Sequence, residues 1–342
     1  MGKFLTGIGR RSLVLLVLAL LAWGVIAALS DWPAVWQAVL RARWPIMLAT
    51  AALAVFSNFA TSYSFALVAK LFEVNMSRVQ LIQIGFVANA LNQLASPAGT
   101  AGLALKAVIA RRRGAHVANM MTSSLAHSEL TNGMLFLLVP VGLLSVLASG
   151  AISTREAQFI AMTAALLFVI AFISVYVTVN KRARNAMFRG IVEAVRRVLK
   201  RDVARQMADL EESIDRGFRR IVEQPVRSLG IMAVVALDWT SDIGVVWLCF
   251  YAFGETLPVG VLITGVSVGM TLGLLTMIPG GAGVQDAAMV GVFSLAGVPL
   301  ETTILSLLLF RATYYLLPFA LSWPLYGRFL RPVRRPHVSK AV

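Results

Sequence analysis

The sequence contains little of what disulfides, metal sites and most catalytic centres require. It has one cysteine, Cys249, among 342 residues, and its three histidines, His116, His127 and His337, lack metal-ligand spacing. A single cysteine excludes a disulfide within the chain and a thiolate metal site. The zinc-protease motif, the nucleophile elbow and the P-loop are also missing. We therefore expect a protein that is not an enzyme and that needs no metal or cofactor.

Charge is also scarce, and acidic charge most of all. Only 14% of the residues are charged, 58% are hydrophobic, and the mean hydropathy is +0.78. This composition predicts an all-α polytopic membrane protein. The 31 Lys and Arg exceed the 16 Asp and Glu, which gives a net charge of +15. Because the basic residues lie in blocks beside apolar runs, they indicate membrane orientation and anionic lipid as a partner rather than nucleic acid.

Six apolar runs have the length that a helix needs to cross a bilayer. They are residues 12–30, 45–71, 118–148, 157–178, 229–253 and 302–325. The first run follows basic residues, as in a signal peptide. Its spanning length favours a retained anchor over a cleaved signal.

Two further apolar runs, residues 80–113 and 258–297, are interrupted. Proline removes a backbone donor and glycine permits conformations that other residues resist, so neither run continues as one helix. The arm after the first break is too short to cross a bilayer, which predicts a re-entrant hairpin in each run. The residues of the breaks are Pro97, Gly99 and Gly102 in the first run and Pro279, Gly280, Gly281 and Gly283 in the second.

The basic residues also predict the topology. With six spans and two re-entrant hairpins, nearly all Lys and Arg fall on one side, so both termini are expected in the cytoplasm. Residues 1–342 then form one membrane domain made of two inverted repeats, residues 10–150 and 157–330. The internal matches are Pro97 with Pro279, Gly114 with Gly297, and the polar patch at Ser128 and Glu129 with Arg311.

Residues 180–227 differ from the apolar runs. Apolar residues at helical spacing alternate there with many charges, which predicts a cytoplasmic amphipathic insertion on the membrane surface. A short coiled-coil contact is the alternative. A basic cytoplasmic tail follows at residues 330–342.

Two faces of the predicted helices contain small residues. Ser57 and Thr61 belong to a polar face in the second span, for which helix packing is favoured over substrate contact. Glycines at positions 265, 269 and 273 recur every four residues. They predict a face on which another helix packs closely.

Ionisable residues within a bilayer need a partner or a wet cavity. Glu129 and Arg311 are expected to pair across the two halves, either structurally or at the substrate. Asp238 and Asp242 share a helical face because they are four residues apart. They are candidates for ion or proton coupling, although a structural role is favoured. Lys106 is expected to bind a phosphate headgroup at the cytoplasmic mouth, together with the arginines at 111–113, which serve equally well as an orientation signal.

The order of these motifs resembles one known family. The segment from Pro279 to Asp286, followed by Gly297, Arg311 and the Tyr314–Tyr315 pair, is similar to the C-terminal signature of the flippase-like transmembrane domain of bacterial lysyl-phosphatidylglycerol synthases and related stand-alone membrane proteins. The Pro97 break, Lys106, the arginine triplet and Glu129 resemble its N-terminal signature. The resemblance covers about residues 10–330.

The resemblance implies a substrate-binding set around both hairpins. It consists of Pro97, Gly99, Gly102, Lys106, Arg111, Arg112, Arg113, Glu129, Pro279, Gly280, Gly281, Gly283, Gln285, Asp286, Arg311 and Tyr314. The family usually has a charged pair where this chain has Gln285 and Asp286, so a different headgroup is expected.

The resemblance also implies that the protein moves a phospholipid or an isoprenoid-linked lipid headgroup across a bacterial inner membrane. No aminoacyl-transferase domain follows in this sequence, so we do not expect the chain to synthesise lysyl lipid by itself. Two alternatives remain. One is a non-transporting partner of a lipid-modifying enzyme that docks through residues 180–227, and the other is an intramembrane transferase.

Overall fold

The structure is a computed structural model that describes residues 40, 42–95, 100–148, 204–276 and 278–330, with scattered positions between 162 and 193. These residues form helices and connecting turns, and none of them lies in a strand. The predicted spans at 12–30 and 157–178, the basic tail, Pro97 and Gly99 lie wholly or mostly outside them.

Ten α-helices and two short variant helices have both ends within the described part of the chain. The α-helices are α1 Trp44–Leu71, α2 Arg78–Ala95, α3 Thr100–Arg112, α4 Val117–Ala148, α5 Ala204–Glu223, α6 Pro225–Ala252, α7 Val259–Leu275, α8 Val284–Leu295, α9 Leu300–Phe310 and α10 Leu317–Leu330. A 3₁₀ turn, Pro279–Gly281, precedes α8, and a π-helical segment, Arg311–Leu316, joins α9 to α10.

Four of the helices confirm predicted spans. Helices α1, α4 and α6, and the continuous helix Leu300–Phe329, are long and apolar enough to cross a membrane. Proline stands in the first turn of both α1 and α6, where its missing N–H has no helical partner to lose. The protein is therefore a multi-pass helical membrane protein.

Both interrupted runs form helix–break–helix units. Helix α2 ends at Ala95 and α3 begins at Thr100, and the two arms pack against each other. Helices α7 and α8 pack in the same way on either side of the second break. In that break Gly280, Gly281 and Gly283 have φ angles of 62°, 61° and 82°, which side chains with a Cβ rarely adopt. The predicted interruption of the second run is thus confirmed, whereas residues 96–99 of the first run lie outside the described residues.

The glycine face of α7 is the surface on which α8 packs. A Cβ atom at Gly265 would lie 2.4 Å from the Phe293 ring, and one at Gly269 would lie 2.4 Å from Cγ of Met289. A Cβ atom at Gly273 would meet the Gln285 side chain at 3.2 Å. The predicted close-packing face is therefore confirmed.

The two halves repeat the same local backbone structure. After α1 and after α6, a residue with positive φ follows the helix, Glu73 at 58° and Gly254 at 89°. After α3 and α8, Gly114 at 70° and Gly297 at 82° take the same place. In all four turns the next amide donates to the carbonyl five residues before it, a Schellman cap. This correspondence includes the predicted match of Gly114 with Gly297.

The amphipathic helix α5 packs on the protein itself. Ile214 is buried, and Gly217 lies against the ring of Phe72 in the turn after α1. Arg220 forms an ion pair with Glu73 in the same turn. Part of the apolar side that the sequence assigned to the membrane surface therefore faces α4 and this turn.

Candidate functional site

A buried acid pair lies where α1 crosses α6. Asp238 and Asp242 are each 3% exposed. The Ser57 hydroxyl lies within hydrogen-bonding distance of Oδ1 of both, at 3.1 Å from that of Asp238. Thr61 donates to Oδ1 of Asp238 at 2.6 Å. Both helices contribute residues four positions apart, as the sequence predicted for the two aspartates.

The acid pair occupies the same place in the second half that the two hydroxyls occupy in the first. Ser57 and Asp238 are 181 residues apart. The same offset relates the first residues of α1 and α6 and the two left-handed residues that follow these helices. It also relates Thr61 to Asp242. Equivalent positions of the two halves thus meet each other at this crossing.

The π-helical segment Arg311–Leu316 connects the acid pair to the second hairpin. Tyr314 donates its hydroxyl hydrogen to Oδ2 of Asp242 at 2.8 Å. Its neighbour Tyr315 donates to Oε1 of Gln285, on α8, at 2.9 Å. Single π-helical turns occur frequently at functional sites, where they shift side chains relative to a regular helix.

Arg311 holds the tip of the second hairpin. Its Nε and Nη2 lie 2.9 and 3.0 Å from the two carboxylate oxygens of Asp286, and its Nη1 donates to the Gly280 carbonyl at 2.6 Å. The same carboxylate accepts the Gly283 amide at 3.1 Å, as acids in the first helical turn commonly do. The expected pairing of Arg311 with Glu129 was therefore wrong. Asp286 caps the helix after the break and also pairs with the arginine, whereas Glu129 lies on α4.

The two hairpins touch at this tip. Gly280 lies against the backbone carbonyl of Gln93, near the end of α2, and a Cβ atom there would come within 2.4 Å of that oxygen. The 3₁₀ turn Pro279–Gly281 packs against α2 as a whole. The ion pair of Arg311 thus stands directly behind the contact between the hairpins.

Lys106 forms a second buried polar centre on the first hairpin. It is 9% exposed, and its ammonium lies 3.6 Å from the centroid of the Phe65 ring. His127, on α4, packs edge-on against the same ring and shares a 2.7 Å hydrogen bond with Ser64. Among the ion pairs of the described residues, none includes Lys106.

The arms of the first hairpin are joined by polar contacts. The Gly102 amide donates to Oδ1 of Asn92 at 2.6 Å, and a Cβ atom at Gly102 would lie 2.5 Å from the Ala88 carbonyl. Asn89 donates to Oδ1 of Asn58 on α1 at 2.8 Å. Gly102 therefore has a packing role that its place in the predicted substrate set did not reveal.

The remaining charged residues of the predicted site lie at the end of α3 and on α4. Arg111, Arg112 and Arg113 are exposed at the end of α3, and Arg113 stacks over Phe329. Glu129 is half-buried on α4. In the part of the chain that the structure describes, no group of three His, Cys, Asp or Glu side chains is placed to hold a metal ion.

Sequence reasoning missed the partners of the charged residues. Ser57 and Thr61 were assigned to packing, and His127 and Gln93 were not assigned to the site. The signal was present in the polar face of α1, whose residues recur at spacings of three and four. The spacing did not predict which helix this face contacts.

These features define a polytopic helical membrane protein with two broken-helix hairpins that meet beside a buried ion pair. The family described as the Lysylphosphatidylglycerol synthase TM region matches residues 12–322, and the chain belongs to this family. It is also 26% identical over 206 residues to a UPF0104 membrane protein of Methanothermobacter thermautotrophicus. That match covers 55% of this chain and 58% of the relative, so the chain spans less than two thirds of the relative's length.

Proposed function

We propose that this protein moves an anionic lipid headgroup, of a phospholipid or an isoprenoid-linked lipid, between the leaflets of a bacterial inner membrane. The observation that carries the proposal is the meeting of two interrupted hairpins, one from each half, at a buried ion pair. Helices broken at membrane depth are tolerated only against protein or a wet cavity, and paired breaks in two halves are typical of transport sites.

The proposed arrangement has six spans and two re-entrant hairpins that enter from opposite faces. The matching caps of the two halves support a repeat. The basic residues support an inverted one with both termini in the cytoplasm. Opposed entry would give each leaflet one hairpin, and the headgroup would pass where their tips meet.

Lys106 is the proposed headgroup ligand on the first hairpin. A buried ammonium without a carboxylate partner is costly, and an aromatic face compensates it only in part. A phosphate group would supply the missing negative charge. The exposed arginines at the end of α3 would gather anionic headgroups before they reach Lys106.

Arg311 is the proposed gate rather than a free ligand. All three of its guanidinium nitrogens are already hydrogen-bonded to Asp286 or Gly280. A phosphate that competed for this guanidinium would release the carboxylate and loosen the tip from Gln93. Exchange of Asp286 for phosphate would thus open the contact between the hairpins as the headgroup arrives.

Lipid exchange in liposomes tests the function. The purified full chain is reconstituted with a fluorescent anionic phospholipid, and the fraction accessible to an impermeant quencher is followed with time. We expect exchange that Lys106→Met slows at least tenfold, because it removes the buried cation while keeping an unbranched side chain. Lys70→Met, at an exposed position on α1, is the matched control and should exchange lipid like the wild type.

The contrary outcome is equally concrete. Wild-type exchange no faster than in protein-free liposomes, across phospholipid and isoprenoid-linked probes, would contradict translocation. A stable complex with one lipid-modifying enzyme, lost when residues 180–227 are deleted, would then favour the partner role. A converted lipid product would favour a transferase instead.

A further inference from the structure

The acid pair between α1 and α6 has four carboxylate oxygens, and three hydroxyl groups lie within hydrogen-bonding distance of them. Ser57 has one hydroxyl hydrogen, yet its oxygen lies within hydrogen-bonding distance of Oδ1 of both aspartates. Thr61 also lies 3.2 Å from the Ser57 carbonyl, so its hydrogen is shared between two acceptors. Tyr314 supplies the remaining donor, to Asp242. Three neutral hydroxyls thus face two buried carboxyl groups.

No cation in the described part of the chain compensates the pair. Helix α7 contains no titratable residue, and the charged residues of α1, α2, α9 and α10 lie near helix ends, away from the crossing. The charges of α5 are spread along that helix, which contacts the turn after α1 at Phe72 and Glu73 and the first turn of α6 at Ser228. On α4, His127 is bonded to Ser64, and Glu129 would add negative charge rather than remove it. The titratable groups on the side of the hairpin are Arg311, which is bound to Asp286, and Tyr314 and Tyr315.

Two ionised carboxylates in such a place repel each other and lose their hydration, and neither cost is offset by a nearby positive charge. One proton between them removes the repulsion and adds the missing donor. The same arrangement, in which two close acids share a proton, is known from carboxylate dyads in enzymes.

We propose that Asp238 and Asp242 hold one proton between them. This proton controls how firmly the π-helical segment binds the second hairpin through Arg311 and Tyr315. The proton enters from water and returns to water, with no other reactant. While the proton is bound, the Tyr314 hydroxyl donates to Asp242. Arg311 and Tyr315, in the same π-helical segment, bind α8. When the proton leaves, the charged pair must separate or admit water, and Tyr314 moves with it.

The position of the pair fits this role. It lies where equivalent residues of the two halves meet, which is where one half would rock against the other in alternating access. A charge change at this crossing acts on α1, α6 and the π-helical segment together. Proton binding does not depend on lipid movement, so it can be present or absent independently of the proposed transport.

Infrared spectroscopy of the full chain in lipid tests the shared proton. A protonated carboxyl group has a carbonyl stretch distinct from that of a carboxylate, and it shifts in deuterated water. We expect this band at neutral pH in the wild type, and its loss when both acids are replaced, in the double variant Asp238→Asn/Asp242→Asn. Glu301→Gln, at an exposed acid on α9, is the control and should keep it.

Two results would overturn the proposal. One is the absence of the band from the wild type, as expected for two ionised carboxylates. The other is its survival in the double asparagine variant, which would assign it to another residue. Because an asparagine variant can fail to fold, Tyr314→Phe provides a second measurement. It removes a donor to the carboxylate, so the band should persist to higher pH than in the wild type, and an unchanged pH range would count against the proposal.

Hydrogen exchange tests the connection to the hairpin. After correction for the intrinsic pH dependence of exchange, amides of the second break should lose protection as pH rises through the range in which the band disappears. In Tyr314→Phe this loss of protection should be absent, because the hydroxyl that connects the π-helical segment to Asp242 has been removed. The same loss in both proteins would show that the pair and the hairpin act separately.

Discussion

At the scale of single residues, the buried charges of this protein differ in how they are compensated. Arg311 and Asp286 neutralise each other with two parallel hydrogen bonds. Lys106 has an aromatic ring, and the acid pair has only hydroxyls. We assign a ligand or a proton to the residues whose charge is incompletely compensated. The fully paired residues, Arg311 and Asp286, form the proposed gate.

Breaking the ion pair between Arg311 and Asp286 should destabilise the fold. Asp286→Asn leaves the Arg311 guanidinium buried without a counter-charge, which should cost about 3–5 kcal/mol and lower the unfolding temperature in detergent. The exposed acid control, Glu301→Gln, should change stability by less than about 0.5 kcal/mol.

A double variant separates the charge from the packing. Arg311→Met combined with Asp286→Leu removes both charges, so it should be more stable than Asp286→Asn alone. If the double variant loses as much stability as Arg311→Met and Asp286→Leu lose in sum when each is measured singly, the two side chains act independently and do not form a stabilising pair.

At the scale of elements, the close packing of α7 and α8 depends on glycine. Gly269→Ala places a Cβ atom 2.4 Å from Cγ of Met289, and we expect a loss of about 1–3 kcal/mol from overpacking. Gly291→Ala, on α8, meets nothing within 4 Å and should be neutral or stabilise by up to about 1 kcal/mol through helix propensity. Equal unfolding temperatures for the two variants would contradict the role of the glycine face.

The sequence was a good guide to these elements because their causes are local. Proline beside several glycines, as at Pro279–Gly283, prevents a continuous helix, whereas the lone prolines Pro140 and Pro324 lie inside helices. A four-residue glycine repeat makes one narrow face. The same reasoning failed for Arg311, because several acids were available and nothing local selects among them. Asp286 is selected by the turn that it caps, and that turn is defined only once the hairpin has folded.

At the scale of the whole molecule, the match of Gly114 with Gly297 was predicted from the sequence, but the matching caps after α1 and α6 were not apparent from it. Glu73 and Gly254 have the same conformation, yet one has a long charged side chain and the other has none. The correspondence of Ser57 and Thr61 with Asp238 and Asp242 is hidden for the same reason. Backbone geometry is shared between the halves, whereas side-chain chemistry has diverged.

The inverted arrangement of the halves predicts which turns lie on which side. Cysteine labelling can determine the side of the membrane on which each turn lies, because the buried Cys249 is the sole cysteine and Cys249→Ser removes the background labelling. Single cysteines are then placed after α1 and α3, as Glu73→Cys and His116→Cys. In the second half they are placed in the turn after α6, as Glu255→Cys, and in the first turn of α9, as Glu301→Cys.

An impermeant maleimide applied to spheroplasts should label the positions of the second half and spare those of the first, and inverted vesicles should give the opposite result. The reason is that both hairpins are expected to enter and leave on one side, the first from the cytoplasm and the second from outside. Labelling of all four positions from one side would make the repeats parallel. Both hairpins would then enter the membrane from the same leaflet, and a headgroup passed between their tips would never reach the opposite leaflet.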